Sequence, residues 1–351
     1  MHILQINTEK GWRGGERQTL LSMEGLRRAG VTVTLLCLDG HPLCKRAADA
    51  GFAVAAVRNQ LEALLHIIFR GNRYTVIHAQ SSRGFGFAAF ASLSISTPLI
   101  YTRRVDFVPR GRLTRWKYER AAALVAISKA IKNILADAGM GDAEVISSIV
   151  PAHTPDRERC RILSNELQTH GRPVVGVVAA LAGHKDPFTM MRAAKRVAEA
   201  VPEVLFLHFG DGVLRQKVEA EHARLSLEKN YLLLGYRDGV EDYFPLFRCF
   251  AMSSREEGLG SSVLDAFMHN IPVASTSAGG LAELVEERGL LSQPKDAEAL
   301  ARNIITLLRD RTLAANLSGE AKKYVVEHHD RDRLTARYIA LYGKVSGGAT
   351  P

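Results

Sequence analysis

Residues 249–276 read CFAMSSREEGLGSSVLDAFMHNIPVAST, and their order decides how the rest of the chain is read. CFAMSS is a short apolar run of the kind that makes a buried strand. EEGLG, a polar turn with two glycines, leaves it. Helix-forming residues follow over 261–269, and a proline then opens a second β-type run, IPVAST. Strand, glycine turn, helix and strand in this order are the repeating unit of a parallel sheet covered on both faces. Ligands of such sheets bind beyond the carboxyl ends of the strands, where helix N-termini aim unpaired N–H groups. The turn after residue 254 therefore predicts a site as well as a fold.

The same alternation extends in both directions. PVVGVVAAL (173–181), EVLFLHFGDG (203–212) and NYLLLGY (230–236) read as strands, separated by helical stretches over 188–200 and 213–225. Helices are expected over 296–308, 313–328 and 333–345, and the tail SGGATP should fray. Toward the N-terminus, strands are expected at residues 2–7, 31–38, 52–57, 74–80, 98–104 and 123–128. A glycine-bearing loop, TEKGWRGGERQ, precedes a helix over 19–29, and another helix spans 61–69. From about residue 147 to 172 the chain is polar, rich in proline and without period, which marks a connection between two domains. The expected architecture is α/β with two Rossmann-like domains, over residues 1–165 and 166–328. Residues 329–351 form a C-terminal helix and tail expected to pack on the first domain.

At 351 residues, 46% of them hydrophobic, the chain fits two globular domains. No run approaches the ~18 apolar residues of a membrane helix, and no signal core opens the chain, so a cytoplasmic location is expected. Cys37, Cys44, Cys160 and Cys249 are scattered and read as reduced thiols. Residues 1–165 hold 23 Lys+Arg against 13 Asp+Glu, a net of +10, whereas residues 166–351 hold 23 against 24, a net of −1. The densest basic stretch, residues 101–120, interleaves seven Lys or Arg with Phe107, Trp116 and Tyr118. Such a stripe suits nucleic acid, an anionic membrane or an acidic substrate.

Three C-terminal segments offer helix starts to a ligand. In EEGLGSS, Gly258 and Gly260 would let a ligand approach the backbone, and Ser261 and Ser262 can cap or donate. Phosphate suits the helix dipole there, but Glu257 and Asp265 would repel it, so these acids should face sugar hydroxyls. An acidic helix start favoured by the dipole alone explains them equally well. Lys185 and Asp186 precede a helix opened by Pro187, where the lysine can neutralise an anionic leaving group. HFGDG (208–212) is a third, weaker turn. In the first half, Gly14 and Gly15 make a close-approach turn, but no dinucleotide fingerprint or P-loop is present. His78 ends a strand. Asp330 and Asp332 have metal-holding spacing, although helix capping explains them better.

Taken together, these segments resemble glycosyltransferase family 4, retaining nucleotide-sugar enzymes of the GT-B fold. The match runs through VGVVAALAGHKDPFTMMRAAKRV, LHFGDG, LLLGYRDGVEDYF, residues 253–285 and GLLSQPKDAEALARNI, and more loosely through GGERQTLLSMEGLRRAGVTVTLL, VIHAQSS and AISKAIKNIL. The resemblance implies that Glu257 reaches the donor sugar and Asp265 the ribose hydroxyls. Gly258, Leu259, Gly260, Ser261 and Ser262 would cradle the diphosphate, with Lys185 contacting it. Gly210 and Asp211 would line the same rim, Tyr236 and Arg237 would meet the base, and Gly14 and Gly15 would close over phosphate and acceptor. Two departures stand out. An arginine common in the family five residues before the lysine is Ala180 here, so Arg13, Arg17, Arg103 or Arg104 would have to replace it. A loop histidine common in relatives is absent from YTRRVDF, which leaves Arg104 as the catalytic candidate, His78 as a fallback, and Arg103 and Asp106 on the acceptor side.

The implied chemistry is transfer of a sugar from a nucleotide-diphosphate donor, UDP-sugar ahead of GDP-sugar, to an acceptor hydroxyl with retention. No cofactor or metal is implied if cationic groups stabilise the leaving diphosphate. Lipopolysaccharide or another envelope glycan is the expected product, made by a protein in peripheral contact with an anionic membrane. Alternatives are a non-catalytic sugar-nucleotide-binding protein and an epimerase. A phosphorylase would need a cofactor lysine signature that is absent, and nucleic-acid binding would be marked by salt-dependent affinity.

Overall fold

A computed structural model describes residues 1–347; the expected frayed tail lies, from residue 348, outside the described residues. In chain order the elements begin β1 (His2–Ile6), α1 (Gly14–Arg28), β2 (Thr32–Leu38), α2 (Pro42–Asp49), β3 (Ala53–Val57), α3 (Gln60–Arg70) and β4 (Val76–Ala79). Then come α4 (Ser82–Ala91), β5 (Leu99–Arg103), α5 (Arg112–Glu119), β6 (Ala123–Ala126), α6 (Lys129–Asp137) and β7 (Ala143–Val145). After α7 (Arg157–Glu166) the chain makes β8 (Val174–Val178), α8 (Pro187–Ala200), β9 (Leu205–Phe209), α9 (Arg215–Arg224), β10 (Tyr231–Gly235), β11 (Cys249–Met252) and α10 (Ser261–Met268). It ends with β12 (Val273–Thr276), α11 (Gly280–Val285), β13 (Leu290–Ser292), α12 (Ala297–Arg309), α13 (Arg311–His328) and α14 (Arg331–Val345). Two compact units result, Met1–Pro151 with the segment from His328 onward, and Ala152–Glu327.

Each unit holds one parallel sheet. The first runs β3-β2-β1-β4-β5-β6-β7 and the second β10-β9-β8-β11-β12-β13. Both orders reverse direction once, between β1 and β4 and between β8 and β11, and that reversal opens a crevice at the strands' carboxyl ends. The architecture is the doubly wound α/β one expected. Strand residues such as Ile3, Leu35, Val76 and Ile100 are buried against Met23 and Leu26 of α1 in the first unit. In the second, Val175, Phe206 and Ala251 pack against Met190 and Met191 of α8 and Leu300, Ile304 and Leu307 of α12.

The last helix belongs to the first core. Leu334, Tyr338, Leu341 and Tyr342 recur at helical spacing and are buried there. α14 crosses α1 at Gly25, where an added Cβ would collide with Thr335 Oγ1. Asp330 caps α14 by accepting from the Arg333 N–H at 2.8 Å, which is the capping reading of the Asp330/Asp332 pair.

Two expected boundaries move. The helix expected from residue 19 starts at Gly14, because Glu16 Oε2 accepts the Arg13 N–H at 2.8 Å and so closes the first turn. The glycine pair is therefore a helix start and not a free turn. The expected structureless connection contains α7, which needs no apolar stripe. Asp156 caps it through the N–H groups of Glu158 at 2.9 Å and Arg159 at 3.1 Å. Asp242 then ties it down, accepting from Arg159 Nη1 at 2.5 Å and the Asp156 N–H at 3.0 Å. These bonds place α7 in the second unit, so the division falls after Pro151 and ahead of residue 165.

Gly25→Val should destabilise the first unit by ~1–3 kcal/mol, the usual cost of overpacking. A lowered urea midpoint would register it. An unchanged midpoint would show that α14 does not depend on this close approach.

Candidate functional site

In the second unit, the loops after β8 and β11 meet beside the reversal of strand order. Asp186, the N-cap of α8, has a left-handed backbone (φ 45°), tolerated by Asp because its short side chain bonds locally. Its carboxylate accepts from Thr189 Oγ1 at 2.7 Å, the Thr189 N–H at 3.3 Å and Arg255 Nε at 2.8 Å. Burial pushes its pKa up, but the Arg255 and Thr189 hydrogen bonds outweigh that and leave it below the usual carboxylate range. Arg255 comes from the loop after β11, and its N–H donates to His184 O at 2.7 Å. Ser253 Oγ donates to Lys185 O at 3.0 Å and Asp186 O at 2.9 Å. The two loops are thus clasped.

The clasp sets two charged side chains against each other. Lys185 Nζ and Glu257 Oε2 form an ion pair, and Ser254 Oγ donates to the same oxygen at 3.3 Å. The pair is mostly enclosed, with side chains 19% and 14% exposed. Two residue types singled out separately in the sequence are therefore brought into one place, with α10 starting just beyond them. Ser261 and Ser262 are half-buried at that helix start, and Asp265, buried one turn later, is on the Ser261 face at i+4 spacing.

The glycines have a second reason for being there. Gly260 adopts φ 99°, and a Cβ would come 2.5 Å from Leu281 Cδ2. The Gly280 N–H donates to Glu257 O at 2.8 Å, pressing the start of α11 onto Gly258 and the buried Leu259. The positive φ, with the contact to Leu281, therefore accounts for glycine at 260 without a ligand. In the same way Gly210, at φ 142°, abuts Ala179 O, and Asp211 O accepts the Leu181 N–H at 3.1 Å. The HFGDG turn is thereby stitched to the loop bearing Lys185. Tyr236 is 58% exposed just past β10 and Arg237 is half-buried beside it.

In the first unit the carboxyl ends of β1, β4 and β5 gather the remaining candidates. His78 does not reach substrate space. It is fully buried, with Nδ1 2.7 Å from Tyr342 Oη and Nε2 2.7 Å from Thr102 Oγ1, and burial together with the Arg104 charge pulls its pKa down to about 3. A neutral, doubly bonded core histidine is a structural element. Arg103 is likewise internal, 2% exposed, donating to Tyr118 Oη and Phe107 O. Arg104 Nη2 donates to Gln80 Oε1 at 2.7 Å, and its Cδ lies beside Gly15. Asp106 is half-buried in the loop that follows. The basic stretch 101–120 is consequently not one solvated face: Tyr101, Arg103 and Tyr118 are core residues, with Tyr101 stacked on Phe85 at 4.1 Å.

The sequence reading missed Arg255, Ser253 and Ser254. Their signal was position: each lies in the last residues of a strand or the turn that leaves it, where side chains face the crevice.

The family described as Glycosyl transferase 4-like domain matches residues 13–149, and that of Glycosyl transferases group 1 matches residues 161–324. The 2-deoxystreptamine glucosyltransferase of Streptomyces kanamyceticus is 28% identical over 269 residues, covering 72% of this chain and 69% of that protein. The lipopolysaccharide core biosynthesis glycosyltransferase LpsE of Rhizobium meliloti is 27% identical over 171 residues, 48% of this chain and 49% of the relative. The structure of Anabaena Alr3699/HepE, solved with UDP and glucose, superposes with a TM-score of 0.86 over 97% of this chain and 98% of that one, at 19% identity. The fold is thus GT-B, and the chain belongs to the glycosyltransferases, a 4-like domain followed by a group 1 domain.

Proposed function

We propose that the protein transfers a sugar from UDP-sugar to an acceptor hydroxyl with retention, in assembly of an envelope glycan or glycolipid. The observation that carries this reading is the enclosed Lys185–Glu257 pair beside the start of α10. On donor binding, the diphosphate replaces Glu257 as the partner of Lys185. Glu257 is then released to accept hydrogen bonds from sugar hydroxyls, while the first N–H groups of α10 meet the phosphates. Asp265 takes the ribose hydroxyls, and Tyr236 and Arg237 flank the base. The C1–O bond breaks toward an oxocarbenium-like state and its electron pair goes to the diphosphate. Lys185 and the helix amides stabilise that charge, so the chemistry asks for no metal. The acceptor oxygen bonds to C1 on the face the diphosphate leaves, and its proton passes to the departing phosphate. UDP is favoured by the UDP-bound HepE complex, and an envelope product by LpsE.

A membrane contact fits the same reading. Phe107, Val108 and Leu113 are exposed next to exposed Arg110, Arg112 and Arg115. Apolar tips among cations suit an anionic leaflet. No helix among the described residues is long and apolar enough to cross a membrane.

Lys185→Ala and Glu257→Ala should each lower turnover by ~10²-fold or more, the scale of one lost stabilising group at a transition state. UDP release in a coupled assay measures it, and near-wild-type rates in both would remove the pair from the mechanism. UDP at 100 times its dissociation constant should stabilise the wild type by about 2.7 kcal/mol in thermal unfolding. No shift with UDP would overturn the donor assignment. Vesicles containing phosphatidylglycerol should bind the protein at low salt and release it at high salt; failure to bind at low salt would sink the membrane contact.

A further inference from the structure

The sheet of the first unit is hollow at one corner. β3 is its edge strand and reads AVAAV, three alanines where branched or aromatic side chains are usual. Val54 packs on the core that includes α1, which turns Ala53 and Ala55 to the opposite face, under α3. Thr34 pairs with Ala53 in the ladder and shares that face. These short side chains leave a cavity of about 540 Å³ between the strands and α3.

The polar groups around this hollow are ordered among themselves. His2 Nε2 lies 2.9 Å from Thr34 Oγ1, and His66 Nε2 lies 3.3 Å from Tyr74 Oη. Arg70 and Arg73 complete the lining, and no acid is among its residues. Burial, reinforced by the Arg70 charge, holds the His66 pKa below its ordinary value. Burial raises that of Tyr74 against the opposing pull of Arg70 and Arg73. Both arginines thus direct positive potential into a partly enclosed space that holds no carboxylate to answer it. Such a lining suits an anion.

Two further observations narrow the anion. His2 and Ala53 open their strands and Tyr74 lies just ahead of β4, so the cavity is at the strands' amino ends. The five residues of β1 put ~17 Å between it and the carboxyl ends, where the first unit's other candidates gather. Next to the row of His66 and Arg70 on α3 runs a second row, Leu61, Leu65 and Phe69, all exposed. Apolar side chains beside a cationic hollow match a phosphate that carries a hydrocarbon tail.

We propose that this cavity binds a phosphate ester at a site separate from the sugar-transfer crevice. Arg70 and Arg73 hold the phosphate, and His66, Tyr74 and Thr34 meet the hydroxyls of the ester, over a floor of alanine. The same chemistry is carried by a phospholipid headgroup and by a free polyol phosphate. The exposed row of α3 favours the lipid, and the test separates the two sources.

The full chain, with UDP present to fill a diphosphate site, is titrated with sn-glycerol 3-phosphate by calorimetry. Separately it is sedimented with phosphatidylglycerol vesicles. Wild type is compared with Arg70→Gln/Arg73→Gln and with Ala55→Leu, which fills the cavity without changing charge. In at least one arm, binding should weaken about tenfold or more in both variants, equivalent to ~1.4 kcal/mol. Loss confined to the soluble ester assigns a free phosphate, and loss on vesicles assigns a headgroup. Ala55→Leu matching wild type in both arms overturns the cavity site, because vesicle binding lost only with the arginines is general surface attraction. Loss in Ala55→Leu with full binding by the arginine variant overturns the anion as ligand. No binding by wild type in either arm overturns the proposal outright. If Ala55→Leu does not unfold cooperatively, Ala53→Leu, at an exposed lining position, replaces it with the same expected and overturning results.

Discussion

The bond between Asp186 and Arg255 is the constraint on which the second unit's site depends. It joins the loop after β8 to the loop after β11, the strands flanking the point where strand order reverses. The carboxylate is fully enclosed, so without the guanidinium it would be a desolvated charge held by a threonine alone. Lys185 is the residue before Asp186 and Glu257 follows Arg255 by two. The geometry of the Lys185–Glu257 pair is therefore inherited from the clasp. A buried ion pair is poor evidence of stability, but here it fixes register between two loops, the best-attested use of such pairs.

The first unit solves the corresponding problem with neutral groups. Where β1, β4 and β5 end, the core is laced by Gln5, His78, Gln80, Thr102 and Tyr342. Burial keeps His78 neutral and drives the Tyr342 hydroxyl pKa well up. The network thus carries no charge of its own, and Arg104 joins it through the Gln80 amide oxygen. One sheet topology thus carries two arrangements at its strand ends, an ion pair in one unit and a neutral hydrogen-bond network in the other.

Most of the strand series was legible because buried parallel strands are short, apolar and punctuated by glycine, and the turn after β11 because a polar stretch with two glycines separates an apolar run from helix formers. What escaped did so for physical reasons. α7 is mostly polar, with Cys160, Ile162 and Leu163 as its only apolar residues and no recurring stripe, and it is held by a cap and by Asp242. α1 begins on two poor helix formers, and its start depends on Glu16 folding back onto Arg13. The glycine at 260 was read as ligand clearance, although its positive φ already requires it. Nor could spacing reveal that Tyr342, far away in sequence, would close over His78 and take it out of consideration.

The return of α14 to the first unit has a consequence for biosynthesis. Gln5 and Tyr342 are hydrogen-bonded across 337 positions of chain, and the leucines and tyrosines of α14 fill the core that β1 begins. The opening domain therefore emerges from the ribosome lacking one wall and waits, partly uncovered, while the whole of the following domain is translated. Its completion waits, by topology, on the synthesis of α14, and during that interval its exposed apolar surface is a substrate for chaperones.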